Sequence, residues 1–172
     1  AGHLVVRRAV DGETMMALDG KAYSLTSDTL VIADDNGVES IAGIMGGEDS
    51  GVIGGTTDIL LETAYFTPAG IRRTARRLGL STDSSYRFER GVDPQNVRKA
   101  SALAVKLILD IAGGTADPDL LDRMLAVIDV EPTAGQTPRV TPIVIDVARH
   151  EVVAGGRVVT LNKRPVLRRL LY

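Results

Sequence analysis

The sequence predicts an α+β fold in which hairpin strands lead into an α/β portion with two main helices packed on one side of a sheet. Three observations carry that expectation: short apolar runs split by turn dipeptides over the first sixty residues, two helix signatures between Thr67 and Gly114, and β-branched runs towards the C-terminal end. At 172 residues and 18.3 kDa, the chain has room for one domain, or one domain with part of a second.

The apolar runs at 4–10, 14–18, 30–33, 41–45 and 59–61 read as strands. Asp19-Gly20 and Asn36-Gly37 lie between such runs, and residues that tolerate positive φ at those places signal hairpins. Six of the chain's 18 glycines fall between Gly43 and Gly55, so the backbone there turns tightly or approaches something closely. The cluster fits neither the phosphate-loop pattern G-x-x-x-x-G-K-[ST] nor G-x-G-x-x-G. Taken alone it is a tight turn between strands or a cradle for a ligand.

Helical punctuation follows, with Thr67 placed to cap, Pro68 suited to the first turn and Gly79 suited to the residue past the end. Ile71, Ala75 and Leu78 form the apolar stripe, and Arg72, Arg73, Arg76 and Arg77 cover the remaining surface. That arginine face is either a solvated surface with internal ion pairs or an RNA contact, since the guanidinium fork suits phosphate. Asp93-Pro94 opens a second helix running to about Ala112, with Val97, Ala100, Leu103, Ala104, Leu107, Ile108 and Ile111 at helical spacing. This pattern predicts a buried support helix. Beyond it, a strand is expected at 125–130, a linker at 132–138, strands at 140–147 and 158–161, and a basic, leucine-containing end at 163–172.

Composition removes several function classes. Twenty Lys and Arg against 22 Asp and Glu leave a net charge of −2, so no global positive field draws nucleic acid, and an RNA contact must be local. Four Tyr and two Phe argue against a base-stacking sheet. Without cysteine there is no disulfide, thiolate metal site or Cys nucleophile, and two distant histidines, His3 and His150, offer little to a catalytic triad. The first residues carry neither a signal peptide nor a membrane span, so a cytoplasmic location without membrane contact is expected. A first residue other than Met suggests a piece of a longer protein.

Three longer motifs occur in order: Ala42-Gly43-Ile44-Met45-Gly46-Gly47-Glu48, Leu60-Leu61-Glu62-Thr63-Ala64-Tyr65-Phe66, and the run from Arg72 to Pro94 containing Ser81-Thr82-Asp83-Ser84-Ser85-Tyr86-Arg87-Phe88-Glu89-Arg90-Gly91. Together they resemble the B3/B4 region of the bacterial phenylalanyl-tRNA synthetase β subunit, over roughly 5–121. The resemblance implies a B3/B4-type mixed domain at 1–131 lacking its N-terminal part, a linker and strand at 132–156, and the truncated start of a B5-like module at 157–172. It implies a β subunit that joins a catalytic α subunit in an (αβ)₂ assembly, acts on tRNA, and hydrolyses mischarged tyrosyl-tRNA in this region. ATP and Mg would serve the full enzyme, with no cofactor in this part and the charging site elsewhere.

By the same resemblance, Glu62 is the acceptor for the tyrosine hydroxyl, Gly46 is a pocket-wall glycine, and Thr82 and Ser84 line the editing pocket. Read from the residues alone, the alternatives are a strand-end carboxylate paired with a nearby arginine for Glu62 and a required turn for Gly46. Ser84 stands where the family's Thr-Asp-Ala-Ser motif has alanine, which changes the pocket's size and polarity. Arg87, Glu89 and Arg90 read as a buried ion-pair cluster with a scaffolding role. The family's upstream Gly-Gln-Pro-Leu-His-Ala-Phe-Asp-like motif has no counterpart in 1–10, so the pocket is expected to lack a wall and the chain alone to be inactive. No residue is assigned as catalytic. The alternative is a non-catalytic module for tRNA docking or subunit assembly.

Overall fold

The computed structural model describes residues 3–116, with four short strands at 143–146, 151–154, 157–160 and 170–171. The fold is mixed α+β, as the sequence predicts. Strands β1 (His3–Arg8), β4 (Leu30–Asp34), β5 (Val38–Ile41) and β6 (Met45–Gly46) form half of a seven-stranded antiparallel sheet, extended beyond β1 by β8 (Ile143–Asp146), β9 (Glu151–Ala154) and β10 (Arg157–Thr160). β2 (Thr14–Met16) and β3 (Ala22–Ser24) make a separate hairpin. β7 (Leu60–Leu61) pairs in parallel with β11 (Leu170–Leu171).

Both expected hairpin turns are present. Asp19-Gly20 falls between β2 and β3, with Gly20 at φ 74°, and Asn36-Gly37 falls between β4 and β5. In the second, the Asp34 carboxylate accepts from the amides of Asn36 at 2.6 Å and Gly37 at 3.1 Å, closing the turn with a side chain. Val31, Ile32 and Ala33 in β4 are all buried, so this interior strand is covered on both faces. They join Leu25, Ile41, Ile44, Phe66, Ile71 and Ala75 in one core.

Helix α1 (Pro68–Leu78) ends where expected, with Gly79 in the left-handed region at φ 66°. Ile71 and Ala75 face the core, Leu78 packs against its edge, and all four arginines lie outward. Thr67 occupies the N-cap position without making a capping bond through its side chain. Helix α2 (Asp83–Phe88) is additional to the two expected, and a short 3₁₀ turn (Pro94–Asn96) precedes α3 (Val97–Ala112).

Two expectations are corrected here. The run 41–45 is not one strand, because Gly43 at φ 68° turns the chain between β5 and β6. Helix α3 exists with the expected end but is not a buried support: it buries Val97 and Ser101, while Leu103, Leu107 and Ile111 are 58%, 48% and 84% exposed. Helical spacing establishes which side chains share a face, and what covers that face is a matter of tertiary packing. The strand expected at 125–130 and the linker at 132–138 lie outside the described residues, as do most of 163–172.

Candidate functional site

The glycine-rich turn is held from two sides. On one side, a Cβ at Gly43 would stand 2.6 Å from Cδ2 and 2.9 Å from Cε2 of Phe66, and 3.0 Å from Cδ1 of Ile71. Phe66 in turn meets Phe88 edge to face, with centroids 4.9 Å apart. On the other side lies the start of α2. The Thr82 hydroxyl donates to the Ile44 carbonyl at 2.7 Å, and the Ser84 hydroxyl donates to the Gly43 carbonyl at 3.0 Å. Successive carbonyls of one turn are thus fastened to a helix forty residues on.

Helix α2 can supply those hydroxyls because its first turn is locked. Thr82 Oγ1 accepts from the Ser85 amide at 3.0 Å, and the Thr82 amide donates to Ser85 Oγ at 2.9 Å, a reciprocal capping box. Both hydroxyl protons of Thr82 and Ser84 are committed to the turn. They therefore fix the position of the turn, leaving only oxygen lone pairs for any further bond.

Gly46 sits in β6 opposite Ser40. Directly opposed residues of an antiparallel pair project to the same face, so the Ser40 side chain stands beside the place where Gly46 has none. Ser40 Oγ is fully buried and has no hydrogen-bond partner among the described residues. The sequence reading missed this residue, and its only signal was a polar residue within an apolar strand run. Next along the chain, a Cβ at Gly47 would stand 2.7 Å from the Glu39 carbonyl oxygen, so backbone crosses backbone there.

Glu62 follows β7 directly. It is half-buried as a residue, with its carboxyl set deep enough that burial, the one cause acting on it, pushes its pKa up to about 7. Among the described residues it forms no hydrogen bond or ion pair, so the arginine-paired alternative finds no support there. The structure fastens Thr82 and Ser84 to the turn at Gly43 and Ile44, Gly46 follows in β6, and no hydrogen bond among the described residues joins Glu62 to them. Glu62 stands four residues before Phe66 in the chain.

Burial of Glu62 has a consequence for stability. Its carboxyl ionises near 4.5 in an unfolded chain and near 7 in the fold, so the native state holds the extra proton between those values. Stability contributed by the neutral form is therefore lost as pH rises from 4.5 to 7. One pKa unit corresponds to about 1.4 kcal/mol, and partial hydration reduces the full shift, so Glu62→Gln should stabilise the fold by about 2 kcal/mol above pH 7. At pH 4 it should change nothing. Equal effects in thermal melts at pH 4 and pH 8 would show that the carboxyl is not enclosed.

The arginines form a separate face. Arg72 Nη2 donates to the Glu89 carbonyl at 2.9 Å, and Arg77 Nη2 donates to Thr29 Oγ1 at 2.5 Å while Nη1 lies 4.0 Å from Asp28. The side chains of Arg73 and Arg76 make no hydrogen bond or ion pair among the described residues. The expected buried cluster of Arg87, Glu89 and Arg90 is corrected. Glu89 and Arg90 do pair, at 2.8 Å, but Arg90 is exposed, and Arg87 instead donates to the Asp83 carbonyl at 3.0 Å from the surface. Arg87 lies in a six-residue helix and Glu89 and Arg90 just past its end, a stretch with no side deep enough to hide three long charged side chains.

Among the described residues no three His, Cys, Asp or Glu side chains are grouped to hold a metal ion, and no helix is long and apolar enough to cross a membrane.

The model of the B3/4 domain matches residues 1–113. The phenylalanine–tRNA ligase beta subunit of Mesorhizobium japonicum is 60% identical over 114 residues, covering 66% of this chain and 14% of that protein. The subunit of the same name from Rhodopseudomonas palustris is 56% identical over the same length, and that of Bradyrhizobium diazoefficiens 52% identical over 120 residues, or 70% of this chain and 15% of that protein. The chain thus spans about one seventh of the length of the curated relatives it matches.

Proposed function

The chain belongs to the B3/4 domain family, and from that premise we propose that it serves as the B3/4 part of a phenylalanine–tRNA ligase beta subunit and contributes, within the full subunit, to hydrolysis of mischarged tyrosyl-tRNA. The observation that carries the reading is Glu62, an enclosed carboxyl with no partner among the described residues, in the stretch leading to Phe66 under the glycine turn. A pocket shaped for a phenyl ring rejects an added hydroxyl by only about 10²-fold, so accurate charging needs a second site that recognises the hydroxyl. A buried acceptor does this steeply, because it is left unpaired when the ring without a hydroxyl enters.

In this mechanism the tyrosine hydroxyl donates to the Glu62 carboxylate, and the bond favours ionisation of a group that burial otherwise keeps neutral up to about pH 7. Thr82 and Ser84 hold the glycine turn as one wall, and Ser40 offers a buried hydroxyl beside Gly46. Hydrolysis uses a water oriented by the bound tRNA terminus, since positioning alone supplies a large part of such a barrier and requires no protein nucleophile. Within the whole ligase the alpha subunit of an (αβ)₂ assembly performs the charging with ATP and Mg, in the cytoplasm, at a site outside this chain. The domain division at 1–131, 132–156 and 157–172 belongs to the same proposal.

The test is Glu62→Ala in the full-length ligase. Preference for tyrosyl-tRNA over phenylalanyl-tRNA in the hydrolysis assay should fall by roughly 10- to 100-fold with no drop in the melting temperature. Unchanged preference would overturn the assignment, and loss of tRNA binding or of subunit assembly without any hydrolysis in the parent enzyme would favour the docking or assembly reading.

A further inference from the structure

Between residues 68 and 90 the chain carries six arginines and two carboxylates, although it is slightly acidic as a whole. The structure gathers this charge around one aromatic ring. The Arg90 guanidinium carbon lies 3.4 Å from the centroid of the Tyr86 ring, at stacking distance, and Arg90 is held there by bonds to the Tyr86 carbonyl at 2.8 Å and the Glu89 carboxylate at 2.8 Å. Tyr86 remains 58% exposed, so only one face of the ring is covered, and its hydroxyl has no partner among the described residues.

The Arg72 bond to the Glu89 carbonyl joins this ring to the outer face of α1. Arg76 stands one turn along α1 from Arg72, on the same ridge, with Arg73 beside it. These last two are the arginines of α1 whose side chains make no bond among the described residues, and both are exposed.

We propose that the outer surface of α1 and α2 binds single-stranded RNA, with an unstacked base on the open face of Tyr86 and phosphates on Arg73 and Arg76. Charge complementarity selects a polyanion, and the ring selects its kind. A solvated arginine face needs no aromatic shelf, and a duplex, whose bases are stacked inside, has nothing to place on one. An aromatic ring backed by a guanidinium with its other face open is suited to an exposed base, whatever its sequence. Low aromatic content argues against a stacking sheet, and this surface needs only one ring. The proposal rests on the tRNA reading only in naming the source, the single-stranded end of a tRNA. It adds the place where that end is gripped.

The experiment measures binding of the chain to three fluorescent probes: a five-nucleotide single-stranded RNA, the same sugar–phosphate strand without bases, and a short RNA duplex. Tyr86→Ala should weaken the single strand by about tenfold and leave the abasic strand unchanged, with Tyr86→Phe restoring most of the affinity. Arg73→Ala with Arg76→Ala should weaken both single strands and lower the log–log salt slope by about 1.4, from ~0.7 per phosphate contact. Both positions are exposed, and thermal melts confirm folding. Equal binding of all three probes, no effect of Tyr86→Ala, or no binding of the single strand by the parent chain would overturn the proposal. Failure of the editing reading looks different: tyrosyl-tRNA would survive in the full-length ligase while Tyr86-dependent RNA binding persisted.

Discussion

Gly43→Ala should lower the melting temperature by about 10–15 °C, a large loss for a single methyl group. Two independent costs combine. The backbone at φ 68° is in the left-handed region, where a Cβ costs roughly 1–2 kcal/mol. The added carbon would also stand 2.6 and 2.9 Å from ring atoms of Phe66, and overpacking of a filled core costs about 1–3 kcal/mol. Phe66 cannot simply withdraw, since its other contacts include the edge-to-face pair with Phe88. The sum is about 3–4 kcal/mol, a large share of the roughly 5–15 kcal/mol that holds a domain together. The two costs separate in a double variant: Phe66→Leu added to Gly43→Ala should recover the steric part, about 1 kcal/mol or more, and leave the backbone part. A Gly43→Ala protein that melts within a few degrees of the parent would mean that the turn is not pressed against Phe66.

This turn also marks where sequence reasoning stops. A cluster of six glycines says that the backbone needs freedom nearby, but not which glycine is indispensable. Contacts with Phe66 and with the Glu39 carbonyl single out Gly43 and Gly47, and both contacts are made by residues distant from the glycine in sequence or across the sheet. The strands with apolar runs, the two turn dipeptides and the punctuation of α1 were legible because each signal is local. Helix α2 was not, since six residues reading Asp-Ser-Ser-Tyr-Arg-Phe have too few turns for an apolar period. Its readable trace was the cap, Thr82 followed three residues later by Ser85. Strand β3 has one apolar-facing residue, Tyr23, and β9 follows β8 too closely to be told from it by composition alone. For the candidate site, sequence placed Thr82 and Ser84 beside the glycine turn only through resemblance. Where their hydroxyl protons go depends on bonds between positions 38 and 41 residues apart.

Thr82→Ala should destabilise the protein by about 3 kcal/mol, more than its small size suggests, because one oxygen does two jobs. As a cap it accepts from the Ser85 amide, which is worth about 1 kcal/mol. As a donor it satisfies the carbonyl of buried Ile44, and an abandoned buried acceptor costs about 1–3 kcal/mol. Thr82→Ser keeps both bonds and should cost less than about 1 kcal/mol, which separates the hydroxyl from the methyl group. Ser84→Ala removes a single bond to the Gly43 carbonyl and should cost about 1–2 kcal/mol. The double variant Thr82→Ala with Ser84→Ala should lose at least 0.5 kcal/mol less than the sum of the two, roughly the size of coupling seen between groups that share a structural unit. The reason is that both bonds hold one turn, and once the first is gone the turn can shift and hydrate the second carbonyl. In the full-length ligase, assayed well below the melting temperatures, Ser84→Ala, which installs the residue of the family's motif, should keep tyrosyl-tRNA hydrolysis, while Thr82→Ala and the double variant should lose it in that order, because a wall that moves by 1 Å spoils the alignment of the attacking water by up to about 10²-fold. Strict additivity in stability would show that the two hydroxyls act separately, and full hydrolysis by the double variant would show that the turn they hold is not a wall of the site.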